Sequence, residues 1–333
     1  MPRYSIIIPV YNRPAEVHEL LDSLTKQTYT DFEVLIIEDG SSIRCDEVVK
    51  EFETALAIRY FYKPNSGRSL TRNYGMERTE GDYQVFFDSD CILPPDYFQK
   101  VTDYIASTKA DCFGGPDRAH ASFTPMQKAI SYSMTSFLTT GGIRGSKKGL
   151  EKFVPRTFNM GFSREVYQQA GGFKDMFGED IDLSTRIRDA GFSVALFPDA
   201  YVYHKRRVNF KSFFRQVYVF GMARVELYQL HPQSLKLVHL LPTCFVLGTI
   251  FLLLSAFICP WALLPLGLYI LALFSESLWV NKSLIIALLS VVAGFVQLTG
   301  YGFGFITAFI RRIILRQSID TEAELKKHYK KKA

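Results

Sequence analysis

The sequence predicts an α/β domain, a parallel sheet with helices on both faces, followed by a block of membrane-spanning helices. Three observations carry this. Short strands rich in isoleucine and valine alternate with helical stretches over the first ninety residues. Polar residues stand at the carboxyl ends of those strands, where such sheets bind ligands. From Leu237 to Ile310 nearly every residue is apolar, and only Glu276 and Lys282 carry formal charge.

The elements follow in order. Tyr4–Val10 is a buried-strand pattern, ended by Asn12-Arg13-Pro14, which opens a helix to about Gln27 with Val17, Leu20, Leu21 and Leu24 on one face. Phe32–Glu38 is the second strand, closed by the polar turn Asp39-Gly40-Ser41-Ser42. A helix near Asp46–Glu53, a strand near Ile58–Tyr62 and the loop Lys63-Pro64-Asn65-Ser66-Gly67 come next. Ser69–Arg78 reads as a helix capped by Ser66 or Ser69. Tyr83–Phe87 is the fourth strand and runs into Asp88-Ser89-Asp90. Asn12, Asp39 and Asp88 thus end three strands and should converge on one rim, the expected nucleotide site.

A second acidic cluster, Gly178-Glu179-Asp180-Ile181-Asp182-Leu183, opens a helix some ninety positions further on. The first cluster can hold a divalent cation on a diphosphate and the second can deprotonate a hydroxyl. Acidic capping of a helix N-terminus is the plainer reading of the second, but three acids in four positions exceed what capping needs. Gly141–Gly149 is a basic, glycine-rich loop, either a lid or a solvated connection.

Leu237–Cys259, Trp261–Val280 and Ser283–Ile310 are each long enough to cross a bilayer, the second weakened by Glu276. Residues 207–230 read as an amphipathic helix lying among lipid head groups, with Phe210, Phe213, Phe214, Val217 and Phe220 or Gly221 on its apolar side. The net charge of +6 gathers around the apolar block, in Lys205–Arg215, Arg311–Arg316 and a lysine-rich tail. Basic runs flanking spans fit anionic lipid rather than nucleic acid. No secretory signal is read at the start, and the five cysteines show no paired spacing. A reduced, cytoplasmic catalytic domain on the inner membrane is expected. The expected organisation is a catalytic domain over 1–206, the amphipathic region over 207–234, two or three spans over 235–312 and a basic tail over 313–333. Three spans would put that tail opposite the catalytic domain; two spans with one re-entrant or interfacial segment would keep it on the same side.

Five motifs stand in one order: Ser5–Asn12, Glu38-Asp39-Gly40-Ser41, Asn65-Ser66-Gly67 with Arg72-Asn73-Gly75, Asp88-Ser89-Asp90, and Gly178–Leu183 with Arg186. In this order they resemble the inverting family 2 glycosyltransferases of the A-type, Rossmann-like fold, over about residues 4–205. The resemblance implies a nucleoside-diphosphate-sugar donor and a divalent metal, Mg2+ or Mn2+. It implies Asp90 as direct metal ligand, with Asp88 on the ribose or the metal, and His204 where some relatives supply a histidine to the metal. Asp39 would accept hydrogen bonds from the base, framed by Pro9, Tyr11 and Asn12. Asn65, Gly67 and Arg72 would close over it, Arg72 pairing with phosphate or supporting Asp39. Asp180 would be the base with Glu179 orienting the acceptor, although the two roles are exchangeable. Arg206 or Arg207 would hold the diphosphate unless lipid takes them, and Asp182 would be structural. Asn159-Met160-Gly161 resembles the acceptor-side strand.

One departure counts. Processive members carry Gln-X-X-Arg-Trp after the acidic pair, whereas Arg215–Phe220 here lacks the tryptophan. Addition of one sugar, expected from a UDP donor, to a lipid-linked or glycan acceptor in cell-surface glycan assembly follows as the main expectation. A polyprenyl-phosphate sugar synthase and a non-catalytic nucleotide-sugar-binding membrane protein are the alternatives.

Overall fold

In a computed structural model, residues 3–141 and 153–317 are described. Most of the basic loop (142–149) and the lysine-rich tail lie outside the described residues. The chain opens β1 (Tyr4–Val10), α1 (Pro14–Thr25), β2 (Phe32–Asp39), α2 (Asp46–Phe52), β3 (Ile58–Lys63), α3 (Arg68–Met76) and β4 (Tyr83–Phe86). Then follow β5 (Cys91–Ile92), α4 (Tyr97–Thr108), β6 (Cys112–Gly114), β7 (Asp117–Arg118), α5 (Pro125–Thr135) and α6 (Phe137–Thr140). After them come β8 (Met160–Ser163), α7 (Arg164–Ala170), α8 (Glu179–Asp189), β9 (Val194–Leu196), β10 (Val202–His204) and α9 (Phe210–Leu230). The C-terminal block holds α10 (Leu241–Ser255), α11 (Leu264–Asn281) and α12 (Leu284–Phe309).

The main sheet runs β3-β2-β1-β4-β8-β6-β9. Its first four strands are parallel, as the alternation of strands and helices requires. The sheet as a whole is mixed, not wholly parallel. β8 lies antiparallel between β4 and β6, because the chain returns to the sheet from the α5–α6 excursion instead of through a crossover helix. Both faces are covered. Ile6, Ile8, Val34, Ile36, Val85 and Phe87 pack on Val17, Leu20, Leu21 and Leu24 of α1. Ile7, Leu35, Ile37, Phe86 and Phe162 pack on Met76, Val166, Leu183 and Ile187 from α3, α7 and α8. Each such side chain, fully buried, contributes about 1.5–3 kcal/mol. A small second sheet, β5-β10-β7, pairs His204 with Cys91 and so brings residue 204 beside Asp90.

The start of α3 differs from expectation. Its cap is Gly67, at φ +90°, a conformation that only glycine adopts without strain, and no side chain caps the helix. Ser66 is occupied elsewhere, receiving Lys63 Nζ at 2.6 Å.

The chain has three helical stretches long and apolar enough to cross a membrane: Leu237–Ser255, Pro260–Asn281 and Leu284–Ile314. Glu276 does not weaken the second, because its carboxylate accepts from Tyr132 Oη at 2.5 Å and Ser136 Oγ at 2.6 Å, both from the α5–α6 region. A half-buried carboxylate bonded in this way has part of its desolvation cost met.

The amphipathic helix is found, but its apolar side faces protein instead of lipid. Phe213, Val217 and Gly221 of α9 are buried. Phe213 and Val217 cluster with Ile130 and Met134 of α5 and Ala293 of α12. On another side Val219 and Ala223 cluster with Phe177 of the catalytic domain. Close approach to α12 is bought by glycines. A β-carbon at Gly221 would strike the Tyr301 carbonyl, and one at Gly304 the Tyr218 carbonyl. Phe214 remains 37% exposed, so lipid could reach only the margin of this face.

The notched contact makes a prediction. Gly304→Ala places a methyl against a backbone carbonyl that no rotamer change can relieve, so it should destabilise the protein by about 1–3 kcal/mol. Thermal unfolding of the purified full chain should show a clearly lowered midpoint. The same substitution at Gly248, which has open space around it, should leave the midpoint almost unchanged.

Candidate active site

The rim at the carboxyl ends of β1, β2 and β4 gathers the expected polar residues. Asp39 ends β2 and is 5% exposed. Its Oδ1 accepts from the Ser66 backbone N–H at 2.9 Å and pairs with Lys63 Nζ. Its Oδ2 accepts from the Gly67 N–H at 3.0 Å and Asn65 Nδ2 at 3.2 Å. The carboxylate therefore fastens the 63–67 loop to the sheet, and in this arrangement its lone pairs are already engaged. Gly40 allows the loop to lie this close, since a β-carbon there would meet the Asn65 backbone.

Asn12 takes a positive φ of 53° after β1. Its side-chain oxygen accepts from the Ile43 N–H at 2.9 Å, and its own N–H donates to Ser41 Oγ at 2.8 Å. It ties the first strand's end to the turn after the second. Pro9 is half-buried in β1, and Tyr11 is half exposed beside the rim.

Two acidic clusters meet across Arg72, which is 2% exposed. Its Nη2 donates to Asp88 Oδ1 at 2.7 Å and its Nη1 to Glu179 Oε1 at 3.1 Å. Its guanidinium also lies over the Phe173 ring, 5.7 Å from the centroid. Arg72 thus neither supports Asp39 nor stands free for phosphate; it joins the ends of β4 and α8. Glu179 also receives Arg68 Nη2 at 2.9 Å, so both its oxygens are taken and its side chain is buried.

Asp180 sits at the N-terminus of α8 and is more open. One oxygen accepts from the Ile181 N–H at 2.9 Å, and the other lies 3.4 Å from Arg156 Nη1. Asp182, fully buried, is held by Lys174 at 3.0 Å, Arg186 at 2.9 Å and His231 at 2.9 Å. Burial alone would raise its pKa; the bonds from His231 and Lys174 and the charge of Arg186 outweigh that and keep the carboxyl below its usual range. Its contacts are those of a structural residue.

Asp90 stands opposite His204, whose Nε2 is 3.1 Å from Asp90 Oδ1 and 3.9 Å from Asp88 Oδ2. Arg13 pairs with the other Asp90 oxygen. Burial pushes the Asp90 carboxyl up, but His204 and Arg13 prevail and hold it well below the ordinary carboxylate range. Cys91 also lies within reach of this group; its thiol is fully buried and pushed far up by desolvation, and hard cations prefer oxygen ligands to sulfur. The remaining set of two carboxylates and one imidazole suits a hard or borderline divalent cation such as Mg2+ or Mn2+. Arg206 is buried and paired with Asp117, and burial pulls its pKa down to about 10. It is placed neither for lipid nor for diphosphate.

The sequence singled out one side of each contact more readily than the other. Lys63, Arg68 and Arg156 were not foreseen. Lys63 ends β3, so the strand-end rule that found Asp39 could have found it. Arg68 lies one helical turn before Arg72, on the same face of α3. Arg156 follows the undescribed loop, and no spacing marks it.

Comparison with known proteins agrees with this geometry. The family described as Glycosyl transferase family 2 matches residues 5–171. Glycosyltransferase AglE of Haloferax volcanii is 26% identical over 255 residues, covering 74% of this chain and 81% of AglE. EpsJ of Bacillus subtilis, also a glycosyltransferase, is 27% identical over 207 residues, 60% of this chain and 57% of its own. Among solved structures, the mannosyltransferase PcManGT from Pyrobaculum calidifontis with GDP-Man and Mn2+ is similar at a TM-score of 0.58 and 18% identity, over 95% of this chain and 88% of that one. S. aureus TarS 1-349 with UDP-GlcNAc gives 0.50 and 18%, over 96% and 95%. With the A-type fold, the two acidic clusters in place and the family matched over half the chain, this protein belongs to glycosyltransferase family 2 and is a nucleotide-sugar transferase.

Proposed function

We propose that the protein adds one sugar, with inversion, from a nucleoside-diphosphate donor to a lipid-linked acceptor, its catalytic domain held at the cytoplasmic face of a membrane. The observation that carries this is the meeting of Asp88 and Glu179 on Arg72, which sets the donor-side and acceptor-side acids round one cleft.

Asp90, Asp88 and His204 would hold the divalent cation. When bound, it neutralises the charge that grows on the departing diphosphate. The acceptor hydroxyl gives its proton to a carboxylate as its oxygen bonds to the anomeric carbon, and the electron pair of the breaking bond leaves with the nucleoside diphosphate. Asp180 is the better base. Glu179 is buried and bonded to two arginines, whereas Asp180 keeps access to the cleft and only a 3.4 Å contact to Arg156. Glu179 then acts as a positioning residue through Arg72. Asp39, Asn12, Pro9, Tyr11, Asn65 and Gly67 frame the base and ribose. UDP is the favoured nucleotide, by likeness to the TarS complex with UDP-GlcNAc, although PcManGT holds GDP-Man. The three apolar helices, which could anchor the chain in a membrane, put the cleft near lipid-linked acceptors.

A second reading, transfer to a polyprenyl phosphate, draws on Arg156, a cation beside Asp180 that could face an acceptor phosphate. That acceptor is already ionised and needs no base.

Separate substitutions test the scheme. Asp90→Ala should lower transfer about a thousandfold or more, since metal-assisted charge stabilisation supplies several kcal/mol. Asp180→Asn should lower turnover roughly 10²–10⁴-fold while leaving donor binding intact. Nucleotide release with membranes present, together with calorimetric donor titration, measures both. Full turnover in both variants overturns the site; loss only in Asp90→Ala selects the lipid-phosphate acceptor.

A further inference from the structure

The third apolar helix stays with the catalytic domain along much of its length. Toward its start, Ala293 packs with Ile130 and Met134 of α5, and Gly294 leaves room for Thr139 of α6. Beyond its end, Arg312 pairs with Glu226 of α9. These points are separated by roughly 28 Å of helix, at 1.5 Å per residue. Between them α12 lies on α9 through the notches at Gly300 and Gly304. The other side of α9 is fixed to the catalytic domain, where Leu227 covers Gly178 and His231 meets Asp182. A helix carrying the chain across a bilayer would take one end far from that domain, whereas α12 keeps contact with α5, α6 or α9 from Ala293 to Arg312. α11 is tied to the same domain by Tyr132 and Ser136 on Glu276, and by Tyr269 Oη donating to the Leu138 carbonyl at 3.1 Å.

What projects is the turn between α10 and α11. Residues 256–263 read Ala-Phe-Ile-Cys-Pro-Trp-Ala-Leu, with no charged group and no polar side chain beyond the Cys259 thiol. Phe257 and Ile258 are 90% exposed and Trp261 is 79% exposed. A loop that reached water on a far face would gain nothing from this composition. Most of its backbone N–H groups are met within the turn. The N–H groups of Ala256, Phe257, Ile258 and Cys259 donate to carbonyls of Leu252, Leu254 and Ser255, and Ala262 donates to Cys259. Each N–H met in this way lowers the cost of placing the turn in hydrocarbon. At the other end of α11, exposed Trp279 with Lys282 makes an interfacial anchor.

We infer that the apolar block is a re-entrant, monotopic anchor. The α10–α11 hairpin enters one leaflet and its turn ends among acyl chains. α12 does not cross, so the basic tail leaves on the catalytic side, in keeping with the positive-inside tendency. The inference rests on the membrane attachment proposed above and on nothing about the sugar or the acceptor.

Cysteine chemistry tests it in the full chain. Cys45, Cys91 and Cys112 are buried, so Cys244→Ser leaves Cys259 as the exposed thiol. Glu47→Cys, on a well-exposed position and paired with Cys244→Ser and Cys259→Ser, reports the catalytic side. Ala333→Cys in that same background reports the tail. Sealed vesicles of both orientations are treated with a membrane-impermeant maleimide, with nucleotide release as the check that each variant is folded. Cys259 should stay unlabelled in both orientations and react after detergent, and Ala333→Cys should react only where Glu47→Cys does. Labelling of Cys259 or of Ala333→Cys from the face opposite Glu47→Cys overturns the inference. Failure of the protein to sediment with vesicles instead overturns the membrane attachment itself.

Discussion

A buried guanidinium holds the catalytic centre together. Arg72 has almost no contact with water, and its two charged partners come from segments 91 positions apart, Asp88 at the end of β4 and Glu179 at the start of α8. Glu179 or the arginine buried alone would be costly. Together with the half-exposed Asp88 they form one charge-compensated unit. The spacing of Asp88 and Glu179 is therefore set by one side chain and not by loop conformation.

The same compensation extends round the rim. Asp39 has Lys63, Asp90 has Arg13, Glu179 has Arg68 as well as Arg72, and Asp180 has Arg156. Each acid is thus fixed in position before any ligand arrives, which is what preorganised electrostatic stabilisation requires. The arrangement also separates the two acids of the second cluster. Glu179 has two cations at hydrogen-bonding distance and no open face, while Asp180 has a looser one and an approach from the cleft. Adjacent carboxylates on one helix turn thus stand in different surroundings, set by their partners and not by their own chemistry.

Much of this was legible in the sequence because strands and their ends obey short-range rules. β1 to β4 appear from their apolar runs, and Asn12, Asp39 and Asp88 reach one rim because parallel strands end at the same edge. His204 was singled out only by resemblance; the pairing of β10 with β5 that brings it beside Asp90 joins residues more than a hundred positions apart. The cations were harder to see. A lysine or arginine is ordinary on any surface, and only the fold reveals that Lys63, Arg68 and Arg156 point at carboxylates. The amphipathic pattern of α9 was read correctly as an apolar stripe, yet a stripe does not say whether lipid or protein will cover it. Here the glycines at 221, 300 and 304, one on α9 and two on α12, were the available sign, since small residues let two helices approach to backbone contact.

That packing changes what the apolar block is. α9 touches the catalytic domain on one side and α12 on the other, and its last turn reaches Asp182, two residues beyond the proposed base. Leu227 lies against Gly178, the residue whose positive φ of 81° turns the chain into α8. The position of Asp180 thus depends on a helix outside the region matched by the family, and that helix depends on α12. The C-terminal helices are not an anchor appended to a finished enzyme. They complete the wall against which Glu179, Asp180 and Asp182 are set, and α12, one of the stretches that could cross a membrane, holds α9 in that wall.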